Sequence, residues 1–410
     1  MKPRIAVVVH RWAPDIAGGA EALAWQYAGL LADEFDVELL TSTALDYVTW
    51  KSELDEGLTR VGPINVRRFA PAAIRDEYFF ALHRRARIDW NPAAAPTPSA
   101  RTAWTTALQE EIIKAQGPWC PGLLDHLGAH RDEYAAILLC TYLYPTSYFT
   151  AQCFPRHKLL LAPTLHDEAM AHLPVFARYV ERIGRFIWLT EAERALAQRL
   201  WNVETGQVIG MAIDSRSVAA ERSATPYLLY CGRIDADKNC DQLLDWFARY
   251  RSTRGDSAPR LILTGKDAIG IGRREGVEFL GFVDEERKLA LMAGALAFVQ
   301  PSRNESFSIV ALEAMAQGTP ILVDGACEVL AEHVRNSGSG QTYGSFEQFE
   351  AAVDGLLDAD PAARDEQAHR GRAYASERYG RVAVQQRLVA EVRAAIADAP
   401  GDAPAHAADN

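Results

Sequence analysis

Two carboxylates, Glu305 and Glu313, stand eight residues apart in the stretch "PSRNESFSIVALEAMAQGTPILV", residues 301–323. The first sits at the mouth of an apolar, helix-period run and the second inside it. A carboxylate accepts hydrogen bonds from ligand hydroxyls, but a buried one is costly unless something pairs with it. With fully helical spacing Glu313 lies about two turns beyond Glu305. Two cations, Arg233 and Lys238, straddle a strand-to-helix loop in "YLLYCGRIDADKNCDQLLDWF", with Gly232 supplying the turn. A planar guanidinium fork and a point-charge ammonium at a helix N-terminus suit a diphosphate. Gly18 and Gly19 lie in another loop ahead of a helix, where backbone N–H groups can approach an anion.

These residues need elements to hold them. "RIAVVVH" (4–10) reads as a fully buried parallel strand. Strand signals recur at "VELLTST", "AAILLCT" (135–141), "KLLLAPT" (158–164), "RFIWLT" (185–190) and "TGQVIG" (205–210), separated by helical stretches. The alternation restarts with "YLLYCG" (227–232), "RLILTG", "VEFLGFV", "LAFVQPS" and "PILVDG". Strand–helix alternation means βαβ units and a parallel sheet covered on both faces. The expected fold class is therefore α/β: two tandem doubly wound Rossmann-like domains, residues 1–213 and 226–380, facing across an inter-domain cleft. An insertion at about 88–127 interrupts the first, and the polar segment 214–226 reads as a linker. The end, "DAPGDAPAHAADN", reads as a frayed tail.

Ligands of open α/β sheets sit beyond the carboxyl ends of the strands. "LAFVQPS" then puts residues 303–307 at such an end, with the helix starting near Ser306–Ser308. A ligand with vicinal hydroxyls at both ends and phosphates in the middle satisfies the whole set, which describes a nucleotide sugar.

Composition narrows the field. The 410 residues exceed one ordinary core, and 49% hydrophobic with 24% charged is globular. The net charge is −11, about −3 of it before residue 214 and −8 after, which disfavours nucleic acid as a partner. Six cysteines without a C-x-x-C pair fit a reducing compartment and no structural zinc. With no leader pattern and no apolar run of about 18–20 residues, a soluble, cytoplasmic protein is expected.

Three patterns have bland readings. Asp235-Ala-Asp237 spells a metal-holding D-x-D, but between two cations it reads better as a cap or local pair. "GIGRREG" (270–276) has the wrong spacing for a phosphate cradle, and no G-x-G-x-x-G occurs. Arg84, Arg85 and Arg87 beside aromatics suit either an anionic lipid surface or a solvated helix face.

In combination, Glu305–Glu313, "GRIDADKN", "GGAE" and "EAMAQGTPILV" resemble the retaining GT-B glycosyltransferases of the "group 1", family-four type, most strongly over 226–325. "ALDYVTWK", "QGPWCPGLL", "TYLYPTSYF" and "PTLHDE" look like a subgroup linked to bacterial envelope polysaccharide assembly. The resemblance implies a hexosyl- or other glycosyltransferase of EC 2.4 type, needing no metal and no cofactor beyond the nucleotide diphosphate sugar. Glu305 would bind the donor sugar, Glu313 the ribose, and Arg233 and Lys238 the diphosphate. Gly18, Gly19, Gly232, Ser306, Phe307 and Ser308 would line the donor, with Gly281 and Phe282 beside the base. A final helix, 381–398, would return to the first domain. The family's histidine at the end of "AAILLCT" is replaced by Thr141-Tyr142, and its usual glycine by Ser308. His166, at another first-domain strand end, is the expected catalytic histidine, with Tyr142 and Asp167 on the acceptor side. The acceptor would be a glycan or a lipid-linked glycan, with peripheral contact at the inner face of the membrane. A nucleotide-sugar epimerase of related fold, or a non-catalytic nucleotide-sugar-binding component, are the alternatives.

Overall fold

A computed structural model describes residues 2–16, 18–91, 103–221 and 223–398. They form two compact units. The first takes the described residues up to Leu189, then Glu193–Gly210 and everything from Gln385 on; the second takes Thr190–Ala192 and Met211–Val384.

The first unit is built on eight described strands: β1 (Arg4–Arg11), β2 (Asp36–Ser42), β3 (Gly57–Val61), β4 (Ile64–Phe69), β5 (Ala136–Cys140), β6 (Leu159–Ala162), β7 (Arg185–Trp188) and β8 (Gln207–Val208). Their order is β3-β4-β2-β1-β5-β6-β7-β8. All pairings are parallel except β3 with β4. Val7 pairs with Leu39 on one side and Leu138 on the other, so the central strand is buried on both faces, as its unbroken valine run requires. The β3–β4 hairpin buries Ile64, Val66 and Phe69 from β4 and no residue from β3. Its outer strand lies at the sheet edge with its three middle residues exposed, which is how a polar "LTR" can be a strand.

The expected insertion at 88–127 falls partly on residues 92–102, outside the described set. Its described remainder holds helices Thr106–Gln116 and Pro121–Ala129, whose Ile112, Ile113, Leu123 and Leu127 belong to the core of the unit.

The second unit holds six described strands: β9 (Tyr227–Cys231), β10 (Arg260–Thr264), β11 (Val277–Gly281), β12 (Ala297–Gln300), β13 (Ile321–Asp324) and β14 (Gly340–Tyr343). The order β11-β10-β9-β12-β13-β14 is parallel throughout. The chain leaves β9 towards β10 and β11, then returns to β12 on the other side, so the topological switch point lies between β9 and β12. β14, half exposed and opened by a glycine, was not legible as a strand.

Segment 214–221 is not a free tether. Glu221 N–H donates to Ala290 O (2.9 Å), Gln317 bonds Val218 N–H and Arg216 O, and Arg287 pairs with Glu221. Helix Arg381–Ala397 enters the first unit from Gln385. There Gln385 Nε2 donates to Leu30 O (2.9 Å), and Glu391 pairs with Arg185 (3.0 Å). The expected tail lies outside the described residues from 399 on.

Candidate active site

In the second unit the loops that follow β9, β10 and β11 are laced side by side. Gly232 N–H donates to Thr264 O, Ile234 N–H to Lys266 O, and Gly265 N–H to Gly281 O. Gly265, at φ +123°, lies so close to Gly232 that a Cβ there would overlap the Gly232 carbonyl. This contact fixes the start of the loop that carries Arg233 and Lys238.

Arg233 pairs with Asp235, and Asp237 reaches the same guanidinium at 3.9 Å. Asp235 also accepts from Lys238 N–H (2.8 Å), capping the turn, so this D-x-D is engaged with its own loop. Lys238 Nζ lies 2.7 Å from Glu305 Oε1, which joins the carboxyl ends of β9 and β12 across the switch point. Asn239 Nδ2 reinforces the joint by donating to Pro301 O (3.2 Å).

The Glu305 loop is pinned from two more directions. Arg303 pairs with the buried Asp324 at the end of β13 (2.9 Å). His333, wholly buried on helix Glu328–Ser337, has Nε2 2.9 Å from Phe307 O and Nδ1 2.9 Å from Tyr374 Oη. Burial holds this imidazole down at about 4. It is therefore neutral at physiological pH, with Nε2–H donating to the carbonyl and Nδ1 accepting from the phenol. The Phe307 ring is buried edge-on against His333 and Tyr379, so Phe307 offers a ligand its backbone alone. Ser306 is half-buried in the same loop. Ser308 caps helix Ile309–Ala316 in the left-handed region, φ 61°, the conformation for which glycine is preferred.

Glu313 is 6% exposed, and its partner is Lys288 on helix Glu285–Gly294, at 2.8 Å. Lys288 also pairs with Glu285 at 2.8 Å. Burial raises the Glu313 carboxyl, with Lys288 opposing. Burial would lower the ammonium, but the two carboxylates outweigh it and raise Lys288. Phe282, 76% exposed, presents its ring just beyond β11 next to Gly281. The structure thus assembles Gly232, Arg233, Lys238, Glu305, Ser306 and Ser308 on adjoining loops at the carboxyl edge of one sheet.

In the first unit Gly18 caps helix Gly19–Leu31 in extended conformation, with no side chain capping the first turn. A Cβ at Gly18 would overlap the carboxylate of Glu21. Burial would raise Glu21, but His10 at 3.3 Å and Arg11 at 2.5 Å hold it at about 2. His10 stacks on Tyr144 at 3.8 Å.

His166 is half-buried in the loop after β6, two residues past Thr164, which has φ 52°. Glu193 supports that loop by accepting from Leu165 N–H (2.7 Å) and Leu189 N–H (2.6 Å). Burial raises Glu193 to about 8, against the pull of those N–H groups. Asp167 lies 2.7 Å from His172 Nε2 and forms an ion pair with Arg199. Tyr142, read from sequence as facing an acceptor, is instead a core residue. Its ring is 2% exposed between Phe176 and Trp201, and its hydroxyl donates to Glu168 (2.8 Å).

Sequence reasoning missed Lys288, His333, Glu193 and the His10–Glu21 pair. Their partners are mostly distant in the chain, but two left a local trace: the Glu285–Lys288 spacing (i, i+3) and Thr190-x-x-Glu193, a capping pattern in which Glu193 accepts from Leu189 N–H.

Residues 213–378 match the model of the family described as glycosyl transferases group 1. A glycogen synthase of Mycobacterium tuberculosis is 34% identical over 160 residues, 37% of this chain and 38% of that protein. A GDP-mannose-dependent alpha-(1-6)-phosphatidylinositol dimannoside mannosyltransferase of the same species is 31% identical over 109 residues, 24% of this chain and 28% of the relative. The matched stretches thus span well under half of these relatives. The sucrose-phosphate synthase of Thermosynechococcus elongatus superposes with a TM-score of 0.69 at 18% identity, covering 97% of this chain and all of that one. Residues 213–378 are thus similar to the group 1 glycosyl transferases, and the chain as a whole has a fold of GT-B type.

Proposed function

We propose that this protein transfers a glycosyl group from a nucleotide diphosphate sugar to a hydroxyl of an acceptor, with retention at the anomeric carbon. The observation that carries the reading is the joint at the switch point of the second unit, where Lys238 meets Glu305 at 2.7 Å beside Arg233. Side by side, these groups can divide between a ligand's phosphates and its hydroxyls.

In the reaction the bond between the anomeric carbon and the distal phosphate oxygen breaks, and the acceptor oxygen forms the new bond on the same face. The acceptor's proton passes to the departing phosphate, so a nucleoside diphosphate leaves. Arg233 and Lys238 neutralise the charge that builds on that phosphate, which is electrostatic preorganisation. Asp235 is occupied as a cap and as the partner of Arg233, so the cations do the work for which other enzymes recruit a metal ion. Glu305 holds sugar hydroxyls, Glu313 the ribose, and Phe282 and Gly281 flank the base. In the first unit His166 and the backbone at Gly18 and Gly19 are the groups we assign to ligand contact.

The acceptor we assign is a glycan or lipid-linked glycan of the cell envelope, met at the cytoplasmic face of the membrane. The mannosyltransferase relative, named for a phosphatidylinositol dimannoside, supports this class. No described helix is long and apolar enough to cross a membrane. Helix Glu77–Asp89 carries Arg84, Arg85 and Arg87 exposed, together with Ile88 at 65% exposure, and would supply peripheral contact.

The test is turnover of nucleotide sugars with glycan acceptors. Arg233→Ala should lower kcat by about 100-fold or more, the scale for losing one charge-stabilising donor. Unchanged turnover in that variant would remove the basis of the mechanism.

A further inference from the structure

A carboxylate recognises vicinal hydroxyls well only when it is ionised and aimed. Glu313 meets neither condition by itself. It is 6% exposed in the middle of a short helix, where burial favours the neutral acid, and a neutral acid loses half its acceptor character.

Among the described residues, Lys288, Glu285 and Asp214 are charged groups that act on it. Lys288 Nζ touches Glu313 Oε2 at 2.8 Å and Glu285 Oε1 at 2.8 Å. Asp214 and Glu285 act on Glu313 through space and favour its protonation, and the buried Cys231 thiol senses both Lys288 and Glu313. Lys288 is thus the one cation acting on Glu313 among these groups. Its side chain is 19% exposed, while that of Glu285 is 55% exposed, so the ammonium is shared between an inner and an outer carboxylate.

We propose that Lys288 is the positioning residue of the nucleoside end of the site, keeping Glu313 ionised and directed so that it accepts hydrogen bonds from the ribose 2′- and 3′-hydroxyls. The inference rests on the reading of this unit as a nucleotide-sugar site and adds to it a residue that acts through Glu313. Glu285 tunes the effect by competing for the ammonium.

The experiment is calorimetric titration of the full chain with UDP, GDP and ADP and with their 2′-deoxy forms, at pH 5.5, 6.5 and 8.5. The wild type should favour one ribonucleotide over its 2′-deoxy form by about tenfold, the scale of a hydrogen bond to a charged acceptor. Lys288→Met should shrink that preference to about twofold at pH 6.5 and restore much of it at pH 8.5, as the unpaired acid finally ionises. Lys288→Arg should behave as wild type. Glu285→Gln changes an exposed side chain, so it should fold whatever happens to the methionine variant. It should hold the preference to lower pH than the wild type does.

A methionine variant with the wild-type preference at every pH would overturn the assignment, as would a glutamine variant with an unaltered pH profile. A wild type that binds ribo- and 2′-deoxy forms equally would also overturn it while leaving the donor-site reading intact. A wild type that binds no nucleoside diphosphate would bring down the donor-site reading and this assignment together.

Discussion

A buried imidazole flanked by a carbonyl and a phenol is neutral for a reason that can be measured. His333 lies at about 4, below the ordinary histidine value of about 6.5, because burial disfavours the imidazolium. The unfolded chain therefore binds the proton more readily than the folded one. The stability that His333 contributes is present above about pH 6.5 and is lost as pH falls through about 4, amounting to about 3 kcal/mol by linkage. Denaturant titrations between pH 4 and 7 should show this slope in the wild type and a flatter one in His333→Gln. At the opposite side of the same loop, Glu305→Gln keeps the shape but loses the charge that meets Lys238. It should cut transfer by about 100-fold while leaving the thermal midpoint within a few degrees. Glu305, Arg233 and Lys238 were legible in sequence because each lies at a strand end or a helix mouth, where local pattern marks position, and Glu313 because it stands eight residues beyond Glu305 inside an apolar helical run. His333 and Lys288 lie 26 and 25 residues from Phe307 O and Glu313, the groups they bond. No local pattern records a partner that distant.

Strand ends carry strain that the sequence only partly discloses. Ser308, at φ 61°, holds a left-handed conformation that costs a residue with a Cβ roughly 1–2 kcal/mol. Ser308→Gly should therefore raise unfolding free energy by about 1 kcal/mol, read by chemical denaturation, and should leave the helix cap in place. Gly265→Ala should do the reverse. Its Cβ would strike the Gly232 carbonyl at a φ of +123°, so a loss of about 3 kcal/mol is expected, together with weaker nucleotide binding as the Arg233 loop shifts. The same locality explains which strands were legible. Interior strands such as "RIAVVVH" and "YLLYCG" show themselves as continuous apolar runs because both faces are covered. β3 and β14 lie at sheet edges with exposed residues, so only pairing with a neighbour makes them strands.

Across the whole molecule, the chain order of the elements is not the order in which they pack. The last described helix returns to the first unit, where Leu388 and Val392 are buried and Arg393 pairs with Glu34. Burying such side chains contributes about 1.5–3 kcal/mol each, a large share of a domain's net stability. Ending the chain after Val384 should thus melt the first unit at a markedly lower temperature. Tryptophan fluorescence reads this directly, since Trp246 alone of the nine tryptophans lies in the second unit. Two-domain α/β organisation followed from the restart of the strand–helix pattern near residue 227; the return of the last helix to the first unit was expected from the family resemblance alone, because amphipathic helices do not state which core they join.

The most direct measurement is product analysis of the purified chain with nucleotide sugars, first alone and then with glycan acceptors, followed by NMR assignment of the anomeric configuration. The expected result is acceptor-dependent release of a nucleoside diphosphate and a product whose anomeric configuration matches that of the donor, both abolished in Glu305→Gln. Conversion of the donor into another nucleotide sugar without any acceptor, or tight donor binding with neither hydrolysis nor transfer, would contradict it.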